Sequence, residues 1–314
     1  MNKVNKGMVA IIIILVGIIC LLAGYVMFDK IMATKKSSSD NKVSDNVKDS
    51  SSNGDKMSYD DLAKIKSIIG IDIMYKDHIY LISRNNGLGF LLDKTSINDI
   101  SNNEKLYLAG KALGDDVWGK TFTKEDFKKA YNTTALANLE YTDGDVYDGL
   151  GQFRSFVYDK DKETYTYSPY GPMEHYMTEE VGIAYVYDVD NYVKDNKYVV
   201  VNKYLFANMY KFNYEGNEYD PTIDITSSDY YNNGGTAFYG SYNDCKAGLA
   251  DYDKTANNSV GRQEGYWLDG DVGASEFALK NYDSIKDKLD TYTYTFEKKD
   301  GHFVLTDFNV EHSK

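Results

Sequence analysis

The hydrophobic pattern of the chain begins with a run that has no polar positions. Twenty-one residues from Met8 to Phe28 carry no charge. At 1.5 Å rise per residue a helix of that length covers a hydrocarbon core about 30 Å thick. The pattern predicts a transmembrane helix within residues 1–33. The run is longer than the apolar core of a cleaved leader, and Ile31-Met32-Ala33 is a poor cleavage site. Leu22-Ala23-Gly24 is followed by Tyr25, where a lipidated cysteine would stand, so the span is expected to be retained and unlipidated. Lys3 and Lys6 on one side nearly balance Lys30, Lys35 and Lys36 on the other. Carrying the short basic tail outward costs about 2.3 kcal/mol per charge per 100 mV, which favours the tail inside and the rest of the chain outside.

Residues 34–57 lack aromatic residues and mix serine, asparagine and charges of both signs. Such a segment buries too little apolar surface to offset its ordering entropy, which predicts a disordered tether. The remaining 58–314 is long enough for a real core. It reads as an extracytoplasmic α+β domain, mainly helical over 58–131 and mainly antiparallel β-sheet over 132–314.

In the first part, Ser58 precedes Leu62, Ile65 and Ile69 on one helical face, and Gly70 closes the pattern. Apolar runs at 71–75, 78–82 and 88–92 predict short strands separated by turns. Ser101 and Glu104 form a capping-box pattern before Leu106, Ala109 and Leu113, and Thr123 opens a short helix carrying Phe127 and Tyr131. Beyond Glu140 tyrosines and β-branched residues alternate with Asp, Asn and Gly, which is strand and turn chemistry. Hairpins are expected over 153–168 and 181–206. A helix through Phe277, Tyr282, Ile285 and Leu289 then precedes a closing hairpin in which Tyr292, Tyr294 and Phe296 alternate with threonines.

Charge narrows the partners. Eight of the 35 basic and five of the 48 acidic residues precede Ser58, leaving a formal −16 on the rest. That surface disfavours nucleic acid. Only Cys20 and Cys245 are present, one inside the predicted span, so no disulfide is expected within the domain.

The stretches SNNEKLYLAGKAL from Ser101, TKEDFKKAY from Thr123 and TYTYTFEKKDGHFVL from Thr291 resemble segments of a large set of exported, single-pass proteins of low-GC Gram-positive bacteria. These segments are helix caps and a terminal hairpin, and the set has no established activity, so the resemblance implies a fold and a location but no functional residue. The closing helix and hairpin are also similar to cystatin-like and nuclear-transport-factor-2-like α+β folds.

The chemical motifs are thin. Asp244-Cys245 resembles the start of a papain-like nucleophile with His302 downstream, yet Lys246 to Asp251 lacks the apolar helix that should follow. Histidines 78, 175, 302 and 312 are scattered, and His-Glu-x-x-His is absent. Acidic alternations at Asp159/Asp161/Glu163, Asp251/Asp253/Asn257 and Asp269/Asp271 lack the rest of an EF-hand. Asn232-Asn233-Gly234-Gly235 lacks the Lys-Ser/Thr of a phosphate loop. No cofactor or metal is expected. The tyrosine load leaves two readings: rings packed in the core, or an aromatic ligand surface made by Tyr230, Tyr231, Tyr239 and Tyr242 with Tyr266-Trp267, suited to a cell-wall glycan or a surface protein. A noncatalytic binding or envelope-structural role is therefore expected, with a cysteine or acid-pair envelope hydrolase as the alternative.

Overall fold

A long hairpin is the spine on which the other strands assemble. Strands β8 (Ile183–Lys194) and β9 (Lys197–Lys211) are joined by Asp195-Asn196, whose φ angles of 51° and 61° make the two-residue left-handed turn that matches strand twist. The computed structural model describes residues 54–74, 79–83, 86–148, 154–168, 183–211, 234–250, 259–264 and 270–313. These belong to one compact unit, Ser52–Lys314.

The sheet branches on both sides of this spine. On the outer side of β9, its first half pairs with β12 (Thr291–Lys299) and its second half with β10 (Gly234–Tyr239). On the outer side of β8, its first half pairs with β3 (Ile79–Ser83) and its end with β1 (Asp55–Lys56). Strands β2 (Ile71–Met74), β11 (Gly261–Glu264) and β13 (His302–Glu311) extend the branches. A smaller sheet has the order β4 (Thr121–Thr123), β7 (Thr164–Tyr167), β6 (Arg154–Asp159) and β5 (Val146–Tyr147). Every pairing among the described strands is antiparallel, so the class is α+β.

The helices start where short-range chemistry places them. Ser58 caps α1 (Tyr59–Ile69) by accepting from the Asp61 N–H, and Gly70 ends it at φ 92°. Ser101 and Glu104 form a reciprocal capping box on α2 (Asn102–Ala112), and Thr123 and Asp126 do the same on α3 (Lys124–Tyr131). Further on lie α4 (Tyr242–Ala250) and α5 (Gly270–Ile285).

Period-two alternation divides the core between the two faces of the sheet. One face carries Val200, Tyr204, Phe206, Tyr292, Tyr294 and Phe296 towards α1, α2 and the smaller sheet. The other carries Tyr185, Leu205 and Phe238 under α5, where Phe277 stacks on Phe238 (4.1 Å) and Tyr282 on Tyr187 (4.4 Å). The edge of β13 is sealed at Leu305, whose N–H donates to the Ala135 carbonyl (2.8 Å) and whose carbonyl accepts from Asn138 Nδ2 (3.1 Å). Beneath α1 the Lys66 ammonium is buried over the Tyr80 ring and contacts Asp188 at 2.5 Å, beside a bulge in β8. With its nitrogen turned towards Asp188, the Asn202 amide donates to Oδ1 (3.3 Å) and to the Val201 carbonyl (3.1 Å).

Two expectations need correction. The run 88–92 is no strand: Gly89–Asp93 forms a 3-10 turn whose side chains at Phe90, Leu91 and Leu92 are all buried. The ordered unit begins before Ser58, since Asp55 and Lys56 pair with β8 and Met57 is buried in the core. Cys245 does lie in a helix, α4, but Lys246 and Ala247 on it are exposed, so it is not a buried apolar one. Among the described residues no helix is long and apolar enough to cross a membrane, and the expected span at 8–28 lies outside them, as do tether residues 34–53.

Candidate functional site

Of the expected aromatic ligand surface, only Tyr239 and Tyr242 fall among the described residues, and neither is exposed. Tyr239 and Tyr242 are core residues, at 0% and 5% exposure. The Tyr239 phenol lies against Gly248 of α4, where a Cβ would come within 2.3 Å of its hydroxyl, and Tyr242 meets Phe206 edge-on at 5.9 Å. Both rings are inside because β10 and the first turn of α4 face the main core. Tyr230, Tyr231, Tyr266 and Trp267 lie outside the described residues.

The chemical candidates resolve similarly. Cys245 is fully buried, and burial pushes its thiol pKa far up, with Asp244 adding to the shift, so the thiolate needed by a nucleophile is disfavoured. Asp159 accepts from the backbone N–H groups of Asp161 and Lys162 and from Lys162 Nζ (2.7 Å), which accounts for that acidic turn as a local cap. Asp251, Asp253, Asn257 and Asp269, with His78 and His175, lie outside the described residues. Among the described residues no three metal-binding side chains converge.

What the fold does build is a half-open cleft of about 440 Å³ between α2 and the β6–β7 hairpin. Its floor follows from one close approach. Gly110, on the inner face of α2, lies against the Phe156 ring, where a Cβ would come within 2.9 Å of Cε2. Tyr107, Lys111 and Gly114 follow at helical spacing along the same wall, and Tyr167 with Ser155 forms the opposite one. Tyr167 meets Phe156 edge-on (5.2 Å, 71°), so its ring is braced from behind. Trp118 leans on Tyr167 at 5.8 Å and 60° yet is 67% exposed. Its neighbour Val117 is buried and lines the cleft, while the indole itself stays in solvent beside it.

The polar groups of the cleft are positioned as deliberately. Asn103, inside the capping box of α2, accepts from the Tyr147 N–H (2.8 Å) and donates to the Asp148 carbonyl (3.2 Å). Its neighbour Asn102 clamps Thr142 in the same two-way manner, at 2.7 Å for each bond. The Asn103 amide holds the end of β5 to the helix and so places Asp148 at the cleft, where Asp115 and Lys111 are also lining groups. Burial pushes the Tyr107 phenol up to about 12, with the Asp148 carboxylate adding to the shift. The cleft thus combines aromatic walls, a cationic donor and carboxylate acceptors.

Sequence reasoning passed over Trp118, Tyr167 and Asp148. A signal was present in Asp115-Asp116-Val117-Trp118-Gly119, which sets one of only two tryptophans in a polar turn just after a helix. Compared with family models, curated proteins and solved structures, the chain matches none.

Proposed function

We propose that this chain is a membrane-anchored, extracytoplasmic binding module without catalytic activity, which holds its ligand in the cleft between α2 and the β6–β7 hairpin. The uncharged run at 8–28 and the polar segment after it support an anchor and a tether. The observation that carries the binding reading is a concave, aromatic-walled cleft with convergent polar groups, next to whose lining residues Val117 and Tyr167 the indole of Trp118 is exposed. The envelope is the compartment in which a cell-wall glycan or a surface protein would meet it. Protease added to intact cells should remove the domain, whereas untreated membrane fractions should keep it at full length. Protection in intact cells followed by digestion after lysis would reverse the topology.

A rival reading, an acid-pair glycoside hydrolase, is favoured by one observation: Asp115 and Asp148 line the same cleft. Release of reducing ends from cell-wall glycan, abolished by Asp148→Asn, would replace the binding module with the enzyme.

A further inference from the structure

We propose that the ligand of this cleft is an uncharged sugar chain, with sugar rings laid against Tyr167 and Trp118 and hydroxyls bound by Lys111, Asp115 and Asp148. The proposal rests on the reading of the chain as a binding module. A pyranose offers apolar C–H faces together with hydroxyls that each donate and accept. The cleft answers both needs. Its rings supply faces, Lys111 only donates, Asp115 and Asp148 only accept, and Ser155 and Asn86 do either.

Other ligand classes match less of this lining. A purely apolar chain would strip water from the charged groups of Lys111 and Asp115 and offer them no hydrogen bond in return. A polyanion would meet both carboxylates on a domain whose formal charge from Ser58 onward is −16. A compact cation would meet the Lys111 ammonium among the same lining groups as the two carboxylates. The volume of about 440 Å³ is in the range of small-molecule sites and has room for one or two sugar rings. Trp118 is placed as a rim platform, since its edge is steadied by Tyr167 while most of its surface stays in solvent. Tryptophan gives large contact area with few rotatable bonds, so little ordering entropy is lost when a ring stacks there.

The test uses the full-length protein in a sugar-free detergent, titrated calorimetrically with chitotriose, maltotriose and xylotriose, and with polyglycerol phosphate as the anionic probe. At least one neutral trisaccharide should bind saturably. Trp118→Ala should weaken that binding about tenfold or more and Asp115→Asn should weaken it measurably, with unfolding midpoints unchanged because both side chains are exposed. Failure of all three trisaccharides, equal binding by Trp118→Ala, or tighter binding of polyglycerol phosphate would overturn the sugar assignment. A photoreactive group at position 118 separates the two levels. If no trisaccharide binds but the group cross-links one envelope protein in living cells, the sugar is wrong and the binding module stands. If neither occurs, both fall.

Discussion

Gly110 and Phe156 approach so closely that only a hydrogen fits between helix backbone and ring, since a Cβ would stand 2.9 Å from Cε2. Helix α2 therefore lies low on the smaller sheet at this point, and Lys111 and Gly114 beyond it line the cleft. Replacing Gly110 with alanine sets two effects against each other. Helix propensity gains about 1 kcal/mol, while overpacking of a well-filled contact costs about 1–3 kcal/mol. The expected result is a net loss of up to about 2 kcal/mol with weakened ligand binding. A denaturant titration showing the full propensity gain instead would mean that the helix can lift off the ring at no cost.

Asn103 is expected to matter to the cleft more than its exposure suggests. Asn103→Ala removes both bonds to β5, to the Tyr147 N–H and the Asp148 carbonyl, at a cost of about 1–2 kcal/mol. Asn102→Ala removes an equivalent pair at Thr142. If Asn103 positions Asp148, its loss should weaken ligand binding while Asn102→Ala changes stability alone. Equal effects on binding would reduce both to general clamps.

Lys66→Met tests the buried pair under α1. It keeps the aliphatic stem over Tyr80 but leaves Asp188 with the Asn202 amide as its remaining partner. The Asp188 side chain is 36% exposed, so water compensates in part, and a loss of about 1–2 kcal/mol is expected. An unchanged or raised unfolding midpoint would show that apolar packing alone docks α1.

Alkali should unfold the protein through its tyrosines. Burial raises the phenols of Tyr131, Tyr165, Tyr204, Tyr292 and Tyr294 above their usual value of 10.0, and Tyr107 to about 12. In the unfolded chain these groups release protons near pH 10 while the folded state still holds them. Stability is therefore complete below pH 10 and falls as pH climbs through the folded values. Tyrosinate absorbance should rise first from exposed rings and then in a step that coincides with loss of circular dichroism. Smooth titration of all phenols with the fold intact would refute their burial.

What could be read from the sequence was local. The caps at Ser58, Ser101 and Thr123 depend on neighbours within a few residues. The run 88–92 was misread because Phe90, Leu91 and Leu92 are buried on all sides, which erases any period that could tell a strand from a tight helix. Branching of the sheet was invisible because it is set by pairings such as Tyr294 with Val200, far apart in the chain. For Tyr239 and Tyr242 the sequence leaves core and surface both open for the same reason: composition shows that rings are abundant, and only packing shows that these two face inward. Trp118 carried the better signal, a bulky ring among residues with nothing to bury it.

The branched spine also sets a schedule. Strand β12 brings Tyr292, Tyr294 and Phe296 into the same core that α1 and β3 must cover, so residues 55–83 have no complete surface to settle on until the chain has been made almost to its end. At a synthesis rate of about 5–20 residues per second, the first strands wait many seconds for their last partners. During that wait the outer side of β9 stands without the partner that covers its first half. The arrival of one late pair of strands thus decides when a protein of this topology can lock.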